Sequence, residues 1–293
     1  HYNVNFDKMR LLTIDYFGGD YFWIGTDKGL YAMPLYAIME SDIQVIARSF
    51  LTEYKSLTKT ESNLYCWDDD ANLSQIENDT LHLMTTLSQS HLQNIHNIAE
   101  SAYGLWIATE DVYLFSRTNM QKILNNVGSC KWLGHVGSTL YIASSKGLIA
   151  ITNEDIHKFL EKADRIEALD SFYIFRNRIQ TATFSNDNQQ LWFSGPEGLH
   201  SINLETREIV KHLSYEETGL VTDILTDKDG IIWLKTFDKI YAGSPRHGRH
   251  LFTPINPAWK FSRLLENGKK IYGVWNNKLY NIYSSESDQN YTI

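Results

Sequence analysis

Acidic and amide side chains are concentrated in one short run, residues 68–72, which reads Asp-Asp-Asp-Ala-Asn. Carboxylate and amide oxygens ligate calcium, and Asp79 follows Asp68 at the spacing of the closing acid of a calcium-binding loop. Leu73, however, stands where such a loop needs a glycine for its sharp turn. We therefore expect an exposed acidic turn here, with no bound metal and no other cofactor.

The side chains that most often carry enzyme chemistry form no recognised catalytic motif. The ten histidines are scattered, without an HExxH pattern or the Cys/His spacing of a zinc site. The sequence also lacks the GxSxG turn of serine hydrolases and a phosphate-binding glycine loop. His247 and His250 lie in a basic run that favours a solvated loop, with an anion contact as the alternative. We predict no catalytic residues and a chain that is not an enzyme.

Two tryptophans are each followed by polar side chains, carboxylates after the first and amides after the second. Sugars present C–H faces that stack on aromatic rings and hydroxyl groups that bond to carboxylates and amides. The alternative is that the two rings only fill space beside Cys66 and Gly273. If they bind a small molecule or an oligosaccharide, the site consists of Trp67, Asp68, Asp69, Trp275, Asn276 and Asn277.

These candidates lie on a repeated pattern centred on a tryptophan or tyrosine. An apolar residue precedes the aromatic one, and another apolar residue, an often small residue and a polar turn usually follow. The clearest copy, residues 22–31, reads FWIGTDKGLY. A repeat of about 40 residues that is built of short strands is typical of a β-propeller. The seven central aromatic residues, 35 to 51 positions apart, are Trp23, Tyr65, Trp106, Tyr141, Trp192, Trp233 and Tyr272.

The repeat predicts seven sheets stacked face to face. Its segments are short, rich in aromatic and β-branched residues, and bounded by Gly, Asp, Asn and Ser, which favours strands over helices. Successive apolar residues indicate that both faces of each sheet are covered. Neither terminal copy is more polar than the rest, so the stack should close into a ring. We predict an all-β fold with a single domain over residues 1–293, a seven-bladed β-propeller with four-stranded antiparallel blades.

Each blade should contain four strands in order from the inside. The inner strand is represented by residues 11–16 or 220–226, and the aromatic strand follows it. A third strand, such as 29–33 or 278–283, leads to a less regular outer strand. The aromatic residues should be core, and the small residue two places later should allow the next sheet to approach closely.

A long interval between the fourth and fifth copies predicts a short helical insertion near 153–163. Asn153 can cap this helix, and Ile156, Phe159 and Leu160 fall on one face. The insertion should lie between the third and outer strands of its blade.

Two segments compete to close the ring. Residues 2–6 alternate like an outer strand and are expected to pair with the last blade, which would hide exposed sheet edges. The C-terminal segment 291–293 is the alternative. Trp132 and Trp259 fall in or near inner strands and could line the central channel.

Composition narrows the possible partners and compartments. The formal net charge of −8, without a long basic run, argues against nucleic-acid binding. Cys66 and Cys130 lie in blades that are not neighbours, so we expect two free, buried thiols. No apolar stretch is long enough for a membrane span, and no signal peptide is visible. Because the sequence begins at His1 without a methionine, we expect a processed protein or a fragment of a longer one.

The run 23–31 resembles the repeat of two-component regulator propellers, which has an Asp-Gly turn followed by WIGT and GL. Segments 140–148, 191–199 and 227–236 are similar but degraded, and the second and seventh copies depart furthest. The resemblance implies an extracytoplasmic or periplasmic sensor region of a membrane-bound bacterial regulator, often a sensor histidine kinase, which detects glycans or other small ligands. Its implied partners are that ligand, adjoining domains of the same protein and a second copy in a homodimer.

Three classes of function remain open. The leading hypothesis is a ligand-sensing propeller of a two-component signalling protein. A protein-interaction scaffold is the first alternative, although the sequence lacks the recurring Gly-His and Trp-Asp pattern of such repeats. A propeller lyase or hydrolase is the second, and it would need His, Glu, Tyr or Arg side chains to converge on one face of the ring.

Overall fold

The computed structural model describes the greater part of the chain. The described residues are 2–3, 10–16, 21–34, 44–47, 53–60, 63–70, 72–77, 80–86, 95–116, 119–162, 169–243, 252–256, 263–267, 270–275 and 278–284.

Seven antiparallel sheets make up the described chain, and they are the blades of a seven-bladed β-propeller. In sequence order, the first sheet has five strands, the next five sheets have four each, and the last has three within the described residues. The predicted all-β fold and the predicted number of blades are therefore confirmed.

The chain divides into two compact units, and the first comprises residues 1–94 and 276–279. It contains blades 1 and 2. Blade 1 consists of β1 (Tyr2–Asn3), β2 (Leu11–Tyr16), β3 (Tyr21–Thr26), β4 (Gly29–Pro34) and β5 (Gln44–Ala47). Blade 2 consists of β6 (Tyr54–Lys59), β7 (Leu64–Asp68), β8 (Asn72–Glu77) and β9 (Thr80–Thr86).

The second unit comprises residues 95–275 and 280–293. Blade 3 consists of β10 (Asn97–Ser101), β11 (Gly104–Ala108), β12 (Val112–Ser116) and β13 (Asn119–Leu124). Blade 4 consists of β14 (Cys130–Val136), β15 (Thr139–Ser144), β16 (Gly147–Thr152) and β17 (Tyr173–Phe175). Blade 5 consists of β18 (Thr181–Phe184), β19 (Gln190–Gly195), β20 (Gly198–Asn203) and β21 (Ile209–Leu213).

The same order continues to the end of the described chain. Blade 6 consists of β22 (Asp223–Thr226), β23 (Ile232–Lys235), β24 (Ile240–Gly243) and β25 (Thr253–Asn256). Blade 7 has β26 (Arg263–Asn267), β27 (Lys270–Trp275) and β28 (Lys278–Ser284). The helical elements are α1 (Asn153–Lys162), α2 (Tyr215–Thr218) and a 3₁₀ helix (Leu169–Phe172).

The central aromatic residues are all buried, and within each unit most of them pack on the following blade. In the first unit, Trp23 of blade 1 contacts the core of blade 2. In the second unit, Trp106, Tyr141, Trp192 and Trp233 lie in the layers between blades 3 and 4, 4 and 5, 5 and 6, and 6 and 7. The predicted core role of these rings is confirmed.

The small residue two places after the aromatic one faces the same layer, because strand side chains alternate between faces. Ala108 lies with Trp106, and Ala143 lies with Tyr141. Both alanines are fully buried. A small side chain at this position leaves room for the inner strand of the next blade.

A hydroxyl or carboxylate ends most of the aromatic strands and closes the turn that follows. The Thr26 hydroxyl donates to the carbonyl of Gly29 and accepts from the N–H of Lys28. Ser144 makes the same pair of bonds in blade 4. In blade 6, the Thr236 hydroxyl donates to the carbonyl of Lys239 and accepts the N–H of the same residue. Such side-chain bonds compete with strand continuation and favour a tight turn.

The predicted helical insertion is α1, and it connects the third strand of blade 4 to the outer strand. Its cap differs from the prediction. The hydroxyl of Thr152 accepts the N–H of Asp155, while the Asp155 carboxylate accepts the N–H of Thr152, so Thr152 is the capping residue. Asn153 is instead within the helix, with its Oδ1 3.1 Å from Nε2 of His135.

The expectation that the N-terminal segment pairs with the last blade is wrong for the residues that are described. Tyr2 and Asn3 pair with Val45 and Gln44, on the outer strand of blade 1 itself. An alternating pattern identifies a strand but does not identify its partner. Residues 4–6 and 291–293 lie outside the described residues.

Both cysteines are free and buried, as the sequence predicts. Among the described residues, no helix has the length and apolar character required to cross a membrane.

Candidate functional site

The acidic turn at residues 68–72 is built around one carboxylate. Oδ1 of Asp68 accepts the N–H groups of Asp70 and Asn72, and Oδ2 accepts the side-chain amide of Asn72. Asp68 thus takes the turn-closing role that a Thr or Ser hydroxyl has in other blades. Trp67 is only 4 % exposed, whereas Asp69 and Asp70 are exposed. The buried ring does not present an open face, so any ligand at this turn would meet the two outer carboxylates first.

The other half of the predicted ligand site is less fully described. Trp275 ends β27, and its side chain lies outside the described part of the structure, as do Asn276 and Asn277 entirely. Binding by these residues therefore stays a prediction. Within the described residues, no group of three or more His, Cys, Asp or Glu side chains is arranged to hold a metal ion.

Trp132 is on inner strand β14, as expected, and its ring meets Phe184 edge to face at 4.9 Å between centroids. It packs with the core layer between blades 4 and 5. Trp259, His247 and His250 lie outside the described residues.

The position two places after each central aromatic residue gives a direct comparison between blades. Each such residue faces an inner-strand partner across the ladder. The pairs are Gly25 with Thr13, Trp67 with Ser56, Ala108 with Asn97, Ala143 with Trp132, Ser194 with Thr181, Lys235 with Asp223, and Val274 with Arg263. Charged residues thus occur in these pairs only in blades 6 and 7, as both members of the pair in blade 6 and as Arg263 in blade 7.

We call Thr222, Asp223, Lys235 and Arg263 the charged corner. Asp223 and Lys235 are direct cross-strand partners, so their side chains share the face of blade 6 on which Trp233 packs toward blade 7. Nζ of Lys235 donates to Oγ1 of Thr222 at 2.7 Å. Oδ2 of Asp223 accepts the N–H of Leu264 in blade 7 at 3.1 Å. The corner therefore joins the inner ends of two neighbouring blades within the second unit.

Burial controls the electrostatics of the charged corner. Lys235 is 8 % exposed, and burial lowers its pKa, which the nearby Asp223 carboxylate partly offsets. Burial also raises the pKa of Asp223, while Arg263, the Leu264 N–H and Lys235 act in the opposite direction. Desolvation disfavours the charged form of both side chains. Each therefore depends on a neighbouring group of opposite charge to remain charged.

Lys235 and Asp223 were not among the sequence-derived candidates. The signal that could have found them is the lysine at a position that is Gly, Ala or Ser in four other copies. A lysine at the end of a strand usually reaches solvent with its ammonium group, so the sequence pattern alone did not identify Lys235 as a buried residue.

Comparison with solved structures finds the same fold in proteins of several functions. The extracellular domain of a Bacteroides thetaiotaomicron protein named as a hybrid two-component system matches with a TM-score of 0.63 and 14 % identity, over 92 % of this chain and 39 % of that one. The extracellular domain of a one-component system from the same organism matches at 0.54 and 15 %, over 96 % of this chain and 49 % of that one.

An enzyme is also among the similar structures. Catalytically inactive virginiamycin B lyase from Staphylococcus aureus, crystallised with quinupristin, matches with a TM-score of 0.66 and 13 % identity, over 95 % of this chain and 96 % of that one. At such identities the likeness shows the fold alone. No protein-family model matches the chain, and neither does any curated protein.

Proposed function

We propose that this propeller is the extracytoplasmic ligand-sensing part of a longer two-component signalling protein, and that it responds to a glycan or another small ligand. Two findings support the setting. The run 23–31 resembles the repeat of two-component regulator propellers, and the chain covers less than half of each of the two extracellular domains it matches. In this proposal, membrane attachment and the kinase belong to other parts of the protein.

The observation that carries the ligand-sensing role is the charged corner. Two residues after the central aromatic residue, the repeat has small or neutral side chains in most blades, and so do the facing inner strands. Packing of the sheets does not require charged residues there. Buried charge at one place in the ring is costly for folding, and groups retained at such cost tend to serve function. A ligand held there would contact two blades at once, so binding would change how those blades pack.

Exposed Asp69 and Asp70 of blade 2 form a separate candidate contact point in the proposal, within the first unit. Their carboxylates suit hydroxyl groups of a sugar. Ligand-dependent packing of the blades would then bias adjoining domains, and a homodimer would pass the signal on.

A thermal-shift panel of oligosaccharides, with and without calcium, tests the proposed function. A ligand that binds only the folded state at one hundred times its dissociation constant stabilises the protein by about 2.7 kcal/mol. We expect at least one oligosaccharide to raise the melting temperature without being consumed. Absence of any shift across the panel would contradict the sensing role.

The lyase alternative is favoured only by the structural match to virginiamycin B lyase. It predicts turnover of a polysaccharide or of quinupristin by the purified chain. We expect none, because the sequence contains none of the catalytic motifs considered above. Product formed at a rate that scales with protein concentration would replace the sensor proposal by the enzyme.

A further inference from the structure

We propose that β9, the outer strand of blade 2, pairs edge to edge with the same strand of a second copy of the chain and so forms a homodimer. The inference deepens the proposed function, on which its role in signalling rests, by naming the surface through which two copies meet. The exposure of β9, its lack of charged residues and its fit to its own copy support it.

β9 (Thr80–Thr86) is an exposed edge strand. It is the last strand in the sheet of blade 2, and within the described residues only β8 pairs with it. None of its seven residues is buried, and Leu83 is 63 % exposed. The outer edge of a sheet presents backbone N–H and C=O groups that can pair with a further strand.

β9 lacks the features that discourage edge pairing in other blades. Proline, lysine and very short edge strands all oppose the addition of another strand. Blade 1 ends in the two-residue strand β1, and blade 4 ends in the three-residue strand β17. Lys122 lies on outer strand β13, Lys211 on β21 and Pro254 on β25. The seven residues of β9 include no proline, lysine, arginine, aspartate or glutamate.

A bulge in β9 does not account for this difference. Thr85 pairs with Leu73 of β8. Leu83 pairs with the next residue, Ser74, so Met84 is the extra residue. Similar register shifts occur between the third and outer strands of blades 3, 4, 5 and 6. Length and the absence of charge therefore distinguish β9 from the other outer strands.

A second copy of the chain is the partner that this strand fits. The chain has a formal net charge of −8, so two copies approach each other most easily through uncharged segments. Two-fold antiparallel pairing about Leu83 puts Leu83 of one copy opposite Leu83 of the other, and His82 opposite Met84. Two exposed leucines then cover each other, and no acidic or basic pair of like charge is opposed. Because both copies use the same strand, assembly stops at a dimer.

Sedimentation velocity of the whole chain tests the inference. Two paired strands of this length form a small interface, so we expect a reversible dimer that is populated only toward the upper end of a series from about 1 μM to about 1 mM. A chain that stays monomeric throughout the series would overturn the inference, and so would assembly into larger species.

Variants locate the contact. Leu83→Lys places a lysine opposite its own copy and should weaken dimerisation at least tenfold, because the leucine contact is lost and like charges meet. The melting temperature of the monomer should stay unchanged, since Leu83 is exposed. Val210→Lys is the matched control, because Val210 is an apolar residue, 39 % exposed, on outer strand β21 of blade 5. Equal dimerisation of the two variants would place the contact elsewhere and overturn the proposal.

A charge-swap mixture tests the two-fold pairing itself. Leu83→Glu alone should also be monomeric, whereas an equimolar mixture with Leu83→Lys should form a mixed dimer at least tenfold more tightly than either variant alone. Absence of the mixed dimer would reject pairing about Leu83.

The outcomes separate this inference from the proposed function. If the wild type is monomeric and an oligosaccharide still raises its melting temperature, the sensing role stands without this dimer surface. A dimer that is lost in Leu83→Lys, in a chain that responds to no ligand, would establish the surface and contradict the sensing role.

Discussion

Equivalent tryptophans in different blades satisfy their indole N–H groups in different ways. Nε1 of Trp106 donates to the Ser101 hydroxyl at 2.9 Å, and Nε1 of Trp233 donates to Oδ2 of Asp227 at 2.7 Å. Nε1 of Trp192 is buried without a hydrogen-bond partner among the described residues, and its ring lies 4.5 Å from that of His212. The repeat therefore determines that each indole ring is buried. The neighbouring polar residue determines whether its N–H group is hydrogen-bonded, and so how much the ring contributes to stability.

Replacement of Asp227 should be strongly destabilising. Asp227 is buried, its Oδ1 accepts the N–H groups of Asp229 and Ile231, and its Oδ2 accepts the Trp233 indole. Asp227→Ala leaves these donors without an acceptor, at a cost of about 3 kcal/mol in the free energy of unfolding. Chemical denaturation measures the change. Asp229→Ala, at an exposed neighbour, is the control, and an equal effect in both variants would contradict this role of Asp227.

His200 should make the protein less stable in mild acid. The ring is buried against Phe193 and Phe175, with centroids 5.4 and 5.3 Å away. Burial is the main cause that lowers the pKa of His200, with the Gly198 backbone opposing it. The unfolded chain therefore takes up a proton first as the pH falls through about 6.5, and the stability present above that pH is lost below it.

Denaturation curves between pH 5 and pH 8 test this sign. His200→Phe, which keeps an aromatic ring in place, should flatten the pH dependence of the denaturation midpoint. Parallel curves for the variant and the wild type would show that other groups, such as His96 with its similarly lowered pKa, are responsible.

At the scale of elements, glycines permit the third strand to begin directly after the turn. Gly29, Gly147 and Gly198 start this strand in blades 1, 4 and 5, each with a positive φ. L-residues rarely adopt this backbone conformation. These glycines belong to the Gly-Leu pairs that the sequence repeats.

Gly198→Ala should therefore disrupt blade 5. Its φ is 108°, and an added Cβ would overlap the carbonyl oxygen of Leu213 on the outer strand. We expect a loss of about 3 kcal/mol or more in the free energy of unfolding. The control is Gly137→Ala, at φ 57° with open space around the added carbon, which should cost about 1 kcal/mol. Similar losses in the two variants would mean that steric overlap does not decide the effect.

At the scale of the whole molecule, each compact unit contains one cysteine. Cys66 lies in the first unit and Cys130 in the second, and both are fully buried. Burial raises the pKa of both thiols, that of Cys130 to about 12, so the reactive thiolate is scarce at neutral pH. The two thiols therefore report on the opening of the two units.

Thiol labelling across a denaturant series should show both cysteines protected until the protein unfolds. Cys66→Ser and Cys130→Ser leave a single thiol each, so mass spectrometry can follow one unit at a time. Rapid labelling of either variant in native buffer would contradict the burial of that unit's core.

The sequence predicted the blades well because their signals are local. The inner strand at 11–16, the helix near 153–163 and the buried aromatic residues follow from alternation, turn residues and periodicity within a few positions. It missed the capping role of Thr152 and the pairing of Tyr2 with Val45, since several neighbours of the right type compete for each role.

The sequence by itself determined the number of blades, the burial of their central rings and the free thiols. Only the tertiary structure decided that Lys235 is buried beside Asp223 and that Asp223 meets Leu264, 41 residues further along the chain. The physical reason is that a strand pattern specifies which face is apolar, whereas register and the stacking of the next blade determine which polar groups meet on it. Desolvation determines the protonation of charged groups at such a contact, and a short stretch of sequence does not show how strongly a group is desolvated.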